Sequence, residues 1–502
     1  MQAGMITIVI PYDQLSRTHG AMGHATPATH QILMIESQSM LASRTWHAQR
    51  IFMLLSASAH FKADLEAEGF VVQFKQSSNM REGISEFRAL HPADQIIATQ
   101  PRSHGLHALF ETLEIELVPD DSFLTSRDEF ASWAANRKSF TQEFFYRWQR
   151  SRLNYLMDGV EPLGGNWNLD ADNRLPPPKS DYVWPQPPAF EIDEIDREIT
   201  SRIDSGEFHL LGKISSGTWA TTRAGALQQL QWFLDHSLAA FGPYEDAMPK
   251  DSWAVHHSLL SPYLNLGLLS PKEVCDAAIE RFAQGDVPLQ SIEGFIRQII
   301  GWREYINGMY WHYEDAYRRS NALAADRPLL PLFEDPERTQ MSCMKSTVND
   351  VMERGWVHHI PRLMLLSNLA LLSGVNPQEF LDWMRRVFVD SADWVMVPNV
   401  IGMGLHADGG AMMTKPYIAG GAYIKRMGQF CSTCVYKPTQ RAGEQACPFT
   451  TLYWDFLDRH QETFATNHRM AQQFAGLRKI SDIDEVRSRA QHVLTGLSAG
   501  QI

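Results

Sequence analysis

The stretch "HHSLLSPYLNLGLLSP", residues 256–271, decides how the helical half of this 502-residue sequence is interpreted. Two serines, Ser258 and Ser261, flank a turn that leads into "SPYLNLG". Hydroxyl groups and free backbone amides at the start of a helix can hold a phosphate group. The stretch therefore predicts a phosphate cradle at a helix start.

Long helical patterns surround this stretch, and the strand signal fades from about residue 195 onward. Apolar residues recur at helical spacing in five segments, namely residues 223–240, 271–284, 291–313, 357–373 and 376–388. The C-terminal half is therefore predicted to be an all-α domain.

The N-terminal part alternates between strand and helix signals. Five short apolar runs lie at residues 6–11, 32–36, 70–74, 95–99 and 115–119, and a helical stretch at 46–68 separates the second run from the third. Continuous apolar runs are typical of strands that are buried on both faces of a parallel sheet. The pattern predicts a Rossmann-like α/β domain with a doubly wound parallel sheet.

In such a sheet, ligands lie beyond the carboxyl ends of the strands. The loop "YDQLS" (12–16) follows the first run, and Glu36 follows the second. These residues either line a ligand crevice or are ordinary loop residues, and the sequence alone favours neither interpretation. The first run is not followed by GxGxxG, so a dinucleotide is not indicated there.

A long linker, residues 158–190, is rich in Pro, Gly, Asn and Asp. Asp170 and Asp172 could hold a divalent cation such as Mg²⁺ through oxygen ligands, although a solvated turn is the more common explanation. We expect an α/β domain at residues 1–130, a connector at 131–220 that includes this linker, and an all-α domain at 221–502.

Composition excludes several classes of protein. No apolar run approaches the ~18–20 residues of a membrane span, and the N-terminus has the pattern of a first strand and not of a signal peptide. We therefore expect a cytoplasmic protein with no membrane partner. The formal net charge of −13 argues against a protein that coats nucleic acid nonspecifically, but it leaves room for a local basic groove.

Four of the five cysteines could together form one metal site. Cys431 and Cys434 form a CxxC pair, Cys447 precedes Pro448, and Cys343 lies far upstream. Four thiolates can hold either a zinc ion or an iron–sulfur cluster, and the spacing alone does not decide between them. Cys275 lies within a helical stretch and is interpreted as a buried core cysteine.

The stretch at 256–271 resembles the flavin-binding segment of the photolyase/cryptochrome family. Three further segments follow in the family's order: "GFIRQIIGWREYINGMYW" (294–311), "GWVHHIPRLMLLSNLALLSG" (355–374) and "FLDWMRRVFVDSADWVMVPNVIGM" (380–403). The resemblance covers essentially the whole chain. Its closest likeness is to the bacterial iron–sulfur branch of (6-4) photolyases and cryptochromes, in which Cys343, Cys431, Cys434 and Cys447 would bind a [4Fe-4S] cluster.

This resemblance implies an FAD cofactor in the helical domain. Ser258, Ser261 and Leu260 would contact it, and Arg362 would pair with Asp393 over the flavin. Asn399 would lie beside flavin N5. The other positions that the resemblance assigns to FAD are Tyr244, Gln298, Arg303 and Asn368.

The resemblance also implies a reaction, the light-driven repair of (6-4) photoproducts in DNA. His359 would be the proton donor and His358 its neighbour, because the lesion's hydroxyl must return to its original base. Trp302 would stack on a lesion base, and Trp383 would pass electrons to the flavin. UV-damaged DNA with a flipped pyrimidine pair would be the partner of a monomeric enzyme. The alternative is a cryptochrome-type light sensor with the same cofactors and little repair activity.

In the iron–sulfur branch the antenna is 6,7-dimethyl-8-ribityllumazine. Ile10, Glu36 and the "YDQLS" loop would contact it, although Tyr12 replaces a glycine that is usual in the family and could crowd the site. The branch's dependence on divalent metal would involve Asp170 and Asp172.

Overall fold

The computed structural model describes residues 5–135, 137, 140–179 and 181–502. An α/β part comes first in the chain, and a larger helical part follows it. Within the described residues, no helix combines the length and apolarity needed to cross a membrane. The predicted fold class is confirmed.

A five-stranded parallel sheet forms the core of the N-terminal part. Its strands β1 to β5 are Ile6–Val9, His30–Ser37, Val71–Ser77, Gln95–Thr99 and Glu116–Val118, each at one of the predicted runs. The order across the sheet is β3-β2-β1-β4-β5, and every pair is parallel. The chain runs outward from β1 on one side and then returns to its other side, which places the switch point beside β1.

The expectation that all five strands are buried on both faces is wrong for β3. Val71 is 50% exposed and Phe74 is 40% exposed on this strand. The reason is that β3 lies at the edge of the sheet. Lys75 pairs with Glu86 there at 2.5 Å, and a charged side chain on an edge strand discourages pairing with another chain.

Helix α1, Ala48–Ala67, buries Ile51, Leu54, Leu55, Phe61 and Leu65, the apolar residues that the sequence places on one face. The helices that follow it in the N-terminal part and connector are α2 to α6, with the bounds Met80–Leu90, His104–Thr112, Arg127–Ala134, Gln142–Leu153 and Glu194–Asp204.

The helical part contains helices α7 to α20. Their bounds are Arg223–His236, Leu238–Tyr244, Ser261–Leu266, Pro271–Ala283, Leu289–Ile296, Glu304–His312, Ser342–Arg354, Asn368–Ser373, Pro377–Val387, Asp393–Val397, Gly421–Met427, Pro448–Arg459, Ala471–Leu477 and Ile483–Ala499. Three π-helical segments interrupt this regular pattern, at Arg297–Arg303, Pro361–Ser367 and Pro398–Gly404.

The proline-rich linker packs against the helical part. Asn173 is fully buried, and its amide donates to the backbone oxygen of Gln290 at 3.0 Å. The backbone N–H of Leu169 donates to the Glu293 carboxylate at 2.9 Å. These contacts hold Asp170 against the helix that begins at Leu289 and carries Gln298 and Trp302 in its π segment.

His47 joins the two parts of the molecule. Its Nδ1 accepts the backbone N–H of Gln49 at 3.1 Å and so caps α1, while its Nε2 lies 3.0 Å from the backbone oxygen of Met352 on helix α13. Both contacts require the neutral ring with its proton on Nε2. Burial lowers the pKa of His47 to about 4, and the hydrogen bonds to the backbone of Met352 and Val351 oppose that shift.

We expect the free energy of unfolding to fall as the pH drops from about 6.5 to about 4. In this range the unfolded chain binds a proton at residue 47 and the folded chain does not. This difference lowers the free energy of unfolding by about 3 kcal/mol over the whole range. Below about pH 4 both states are protonated, so this contribution stops changing.

Urea unfolding at several pH values measures the effect. His47→Asn should flatten the slope in this window, because asparagine can still cap the helix but does not titrate. His24→Asn, at an exposed histidine, is the matched control and should keep the slope of the parent chain. An unchanged slope in His47→Asn would contradict the assignment.

Candidate active site and cysteine cluster

A cavity of about 610 Å³ lies within the helical part. Its volume falls in the range of about 300–1,000 Å³ that is typical of small-molecule and cofactor sites. The sequence-predicted residues that line it are Ser258, Leu260, Ser261, Gln298, Trp302, Arg303, His358, His359, Arg362 and Asn399.

The three π-helical segments form much of the cavity wall. The first contributes Gln298 and Trp302, the second contributes Arg362, and the third contributes Asn399 and Met403. A π turn inserts one residue into a helix, rotates the following side chains and is frequently found at functional sites. The residues that converge on this cavity are therefore aimed by local irregularities in otherwise regular helices.

Ser258 and Ser261 both line the cavity, as the predicted phosphate cradle requires. Leu259 between them has φ of +58°, a left-handed conformation that costs energy for a branched residue. Ser261 begins helix α9, and its hydroxyl donates to Asp390 at 2.7 Å. The hydroxyl proton of Ser261 is thus committed to a protein carboxylate.

Arg362 pairs with Asp390, so the expected pair with Asp393 is wrong. The two guanidinium nitrogens of Arg362 lie 3.0 Å from the two carboxylate oxygens of Asp390, a bidentate arrangement. Asp393, three residues on, pairs instead with Arg385 and with Arg318, the latter at 3.3 Å. Asp390 and Asp393 are separated by the start of helix α16, which turns them toward different arginines.

Four of the residues predicted to act at the flavin or the lesion are not in the cavity wall. Tyr244 packs beside Tyr182 and Trp184, and the amide of Asn368 bonds to the backbone of Ala419. Trp383 is fully buried, and its indole N–H donates to the backbone oxygen of Phe333 at 3.0 Å. Asp393 is the fourth, because its arginine partners hold it away from the lining.

A stack of histidines forms one side of the cavity. The rings of His257 and His358 are parallel within 22° at 4.3 Å, and His359 lies edge-on to both. His257 Nε2 lies 3.1 Å from the backbone oxygen of Glu245. His359 is the outermost member, with 46% of its side chain exposed, while His358 is buried and its Nδ1 has no partner.

This wall favours neutral rings in the absence of a ligand. The partial burial of His359, followed by the charges of Arg297 and Arg362, lowers its pKa to about 4. Burial and the neighbouring histidine ring lower the pKa of His358 well below its usual value. A negatively charged ligand next to His359 would offset the arginine charges and raise its pKa.

Two carboxylates that the sequence analysis did not single out also line the cavity. Asp246 Oδ1 lies 3.8 Å from His359 Nε2, and burial, followed by the charge of Asp170, raises the pKa of Asp246 to about 6. Burial raises the pKa of Glu245 to about 8 against the opposing charge of Arg297. Asp170 lines the cavity too, whereas Asp172 does not.

Six residues that line the cavity each carry a buried polar atom without a hydrogen-bond partner within the protein. These atoms are the Nε1 atoms of Trp356 and Trp394, Nδ1 of His358, Oε2 of Glu245, Nη2 of Arg297 and Nε of Arg303. Buried polar groups are almost always satisfied in native proteins. A large ligand with both polar and apolar surface, such as FAD, fits this set of orphaned donors and acceptors.

The four predicted cysteines line one small, mostly apolar pocket near Phe430 and Tyr436. Cys343 stands in the first turn of α13, and Cys447 caps α18, so both sulfurs lie at helix N-termini that favour negative charge. A Cβ on Gly421 would come within 3.0 Å of Cys447 Sγ, so only glycine fits this wall. Cys275 is fully buried elsewhere, as expected for a core cysteine.

The sulfur spacing departs from that of a single zinc site. Zinc bonds of about 2.3 Å place four sulfurs about 3.8 Å apart. Among the described residues, no three cysteine sulfurs lie within 4.8 Å of one another. Burial raises the pKa of Cys343 well above its usual range and that of Cys447 to about 11, so four thiolates in this pocket require a bound cation or cluster.

The residues expected to contact the antenna are buried or hydrogen-bonded within the protein. Ile10 is part of the core behind β1. Glu36 accepts two bonds from Arg202, at 2.7 and 3.0 Å, and one from Gln76 at 2.9 Å. The Tyr12 hydroxyl is buried without a partner, which leaves one unsatisfied polar atom at the end of β1.

Comparison with known proteins decides the family. A (6-4) photolyase of Agrobacterium fabrum (strain C58) is 38% identical over 488 residues, which cover 95% of this chain and 96% of the relative. This chain belongs to the photolyase/cryptochrome family. The family model described as deoxyribodipyrimidine photo-lyase-related protein matches residues 8–219.

Solved structures of this family share the fold. A bacterial class III photolyase from Agrobacterium tumefaciens superposes with a TM-score of 0.58 at 14% identity, covering 99% of this chain and 98% of that one. A cryptochrome from Synechocystis superposes with a TM-score of 0.56 at 14% identity, covering 92% and 94%. Photolyases and cryptochromes therefore have the same architecture as this chain.

We expect Asp390→Asn to weaken flavin binding, because it breaks a buried bidentate pair and leaves Arg362 uncompensated on the cavity wall. Removing one partner of a buried ion pair destabilises the folded protein by about 3 kcal/mol. Flavin content after purification and the flavin dissociation constant measure the change.

Asp393→Asn is the matched control, since this residue lies three positions away and faces other arginines. It should keep flavin binding close to that of the parent chain. Equal flavin loss in the two variants would show that the cavity does not depend on Asp390 specifically.

Proposed function

We propose that this chain is a (6-4) photolyase, which uses light to repair (6-4) pyrimidine–pyrimidone photoproducts in DNA. The observation that carries the proposal is the placement of His359, the outermost of three packed histidines, on the wall of a flavin-sized cavity. The 38% identical relative that is named a (6-4) photolyase supports the same function.

FAD would supply light absorption and the electron for the lesion, and this chain's residues would position both partners. Ser258 and Leu260 would hold it from one side, Arg362 from another, and Asn399 would approach it as a neutral amide. Because the lesion must leave the DNA stack to reach the cavity, Trp302 would receive it at the wall by stacking, worth about 1–3 kcal/mol per base.

His359 would hold the proton that the reaction needs at Nε2. Its pKa of about 4 would rise when DNA brings phosphate charge to the site. Asp246, at 3.8 Å from Nε2, is placed to stabilise the resulting imidazolium. His358, stacked on His257, would keep the neighbouring ring in place and remain neutral.

The cysteine pocket would hold a [4Fe-4S] cluster with Cys343, Cys431, Cys434 and Cys447 as ligands. This proposal rests on the wide sulfur spacing and on the burial of the thiols. The cluster would fix the start of α13 to the start of α18, since metal binding energy contributes to folding.

Two further ligands belong to this proposal. Mg²⁺ would bind at Asp170, which lies on the cavity wall, together with Asp172 in the same short turn. The raised pKa of Asp246 reflects burial and the Asp170 charge, which a cation would relieve. The lumazine antenna would lie beside Ile10, Tyr12 and Glu36, where the unpartnered Tyr12 hydroxyl offers a polar contact.

We expect His359→Asn to slow repair of a (6-4) oligonucleotide under blue light by about 100-fold or more, because general acid catalysis is lost. Flavin content and light-driven flavin reduction should stay unchanged. His236→Asn, at an exposed histidine of α7, is the control and should repair normally. A parent chain that reduces its flavin but repairs nothing would favour the light-sensor alternative.

We expect Cys434→Ser to lower the iron and sulfide content of the purified protein and to expose the C-terminal helices to proteolysis. The reason is that a missing ligand releases the segment between Cys431 and Cys447. Cys275→Ser, at the buried core cysteine, should keep full iron content. Zinc in place of iron in the parent chain would refute the cluster assignment.

A further inference from the structure

A histidine and two aspartates meet where helix α1 of the α/β part packs against helix α6 of the connector. His60 stands on α1, Asp193 caps the start of α6, and Asp196 lies in the first turn of α6. One nitrogen or oxygen atom from each of these side chains lies within 4.8 Å of the other two. This cluster is outside the cavity of the helical part, and the proposed repair reaction does not use it.

The hydrogen bond of His60 to the backbone leaves its other ring nitrogen free to bind a metal ion. Nδ1 lies 2.8 Å from the backbone oxygen of Ser56, which can only accept, so Nδ1 carries a proton. In the neutral ring, Nε2 then has a free lone pair, and it lies 2.8 Å from Oδ2 of Asp193. Histidines that bind metal ions almost always donate their second N–H to a backbone carbonyl or a carboxylate in this way.

The carboxylate of Asp196 is buried and lacks a lysine or arginine partner. Only 2% of the residue is exposed, and the hydroxyl of Thr221 donates to its two oxygens at 3.0 and 3.4 Å. Among the described residues, neither Asp193 nor Asp196 forms a salt bridge with a lysine or an arginine. A protonated His60 would supply one positive charge for two carboxylates. Because buried charges are normally paired or bind metal ions, the cluster favours a divalent cation.

The remaining contacts of Asp193 leave one of its oxygens available to an ion. Oδ1 accepts the backbone N–H of Asp196 at 3.0 Å and so caps α6, whereas Oδ2 faces His60. The side chain of Asp193 is 53% exposed, so an ion can enter from solvent and keep a water molecule as a further ligand. The two carboxylate charges outweigh the half-positive charge of the helix start, which would otherwise repel a cation.

We propose that His60, Asp193 and Asp196 bind a divalent transition metal ion, for which zinc is the best match. An imidazole ligand favours zinc over Mg²⁺ or Ca²⁺, and three protein ligands with one water complete a tetrahedral site. Bonds of about 2.0–2.2 Å place tetrahedral ligand atoms about 3.4 Å apart, a spacing that small side-chain rotations reach from the observed positions. The ion joins the α/β part to the connector and, through Thr221, to the residue pair before α7.

The test measures zinc binding to the purified holoprotein near neutral pH, by equilibrium dialysis followed by metal analysis. We expect one zinc ion per chain at this site. Zinc X-ray absorption should show nitrogen and oxygen ligands at about 2.0–2.2 Å and no sulfur at about 2.3 Å, which distinguishes the site from the cysteine pocket.

Two pairs of variants test the ligands without disturbing the fold. Asp193→Asn should abolish binding, because asparagine still caps α6 but carries no charge. Asp204→Asn, at an exposed aspartate at the far end of α6, is the matched control and should keep the affinity of the parent chain. Thr221→Val should weaken binding about 10–100-fold, as is typical when the hydrogen bond to a ligand is lost, and Thr221→Ser should preserve it.

His359→Asn separates this site from the histidines of the cavity and should keep the zinc ion. Loss of zinc in this variant with retention in Asp193→Asn would place the ion in the cavity and overturn the inference. Sulfur ligands in the absorption spectrum, parent-like affinity in Asp193→Asn, or a parent chain that binds no zinc would overturn it as well. None of these outcomes bears on flavin binding or repair, which the proposed function predicts separately.

Discussion

One buried carboxylate, Asp390, holds the cavity together. It binds both guanidinium nitrogens of Arg362 on the second π segment, accepts the hydroxyl of Ser261 at the start of α9, and through its backbone oxygen accepts the amide of Asn265 at 2.7 Å. Two stretches that are distant in sequence, one with Arg362 and one with Ser261 and Asn265, therefore bond to the same residue. The shape of the proposed flavin site follows from this junction, because each stretch contributes residues to the wall.

The π segments determine what this junction can present to a ligand. A regular α-helix turns a given face toward the cavity only every third or fourth residue, so a wall of regular helices would offer fewer inward side chains. The inserted residue in each π turn changes that register and brings Arg362, Asn399 and Trp302 inward on three different walls. These irregular turns are less stable than a regular helix, and they occur where the site needs many side chains that point inward.

The parallel sheet, the helical half and most of the residues expected to act at the flavin or the lesion could be predicted, because they depend on local periodicity or on contiguous motifs. Contacts between residues that are distant in sequence could not be predicted. Asp390 and Asp393 stand three residues apart in one motif, and only the start of α16 decides which of them meets Arg362. Likewise Trp383 and Met384 are sequence neighbours, and only the helix register places Met384 at the cavity. The contribution of Asp246 depends on a contact with His359 that no sequence spacing indicates.

Helix α13 connects the cysteine pocket to the contact between the helical part and the α/β part. It starts at Cys343 in the cysteine pocket, and 13 residues of α-helix span about 20 Å. Its far end bonds to the α/β part through His47 at Met352, and to Trp219 through the backbone oxygen of Arg354 at 2.9 Å. The helix is thus a rigid strut between the proposed cluster and the seam of the two domains. Oxidative damage to the proposed cluster would therefore weaken the contacts of α13 with His47 and Trp219, at the other end of the helix.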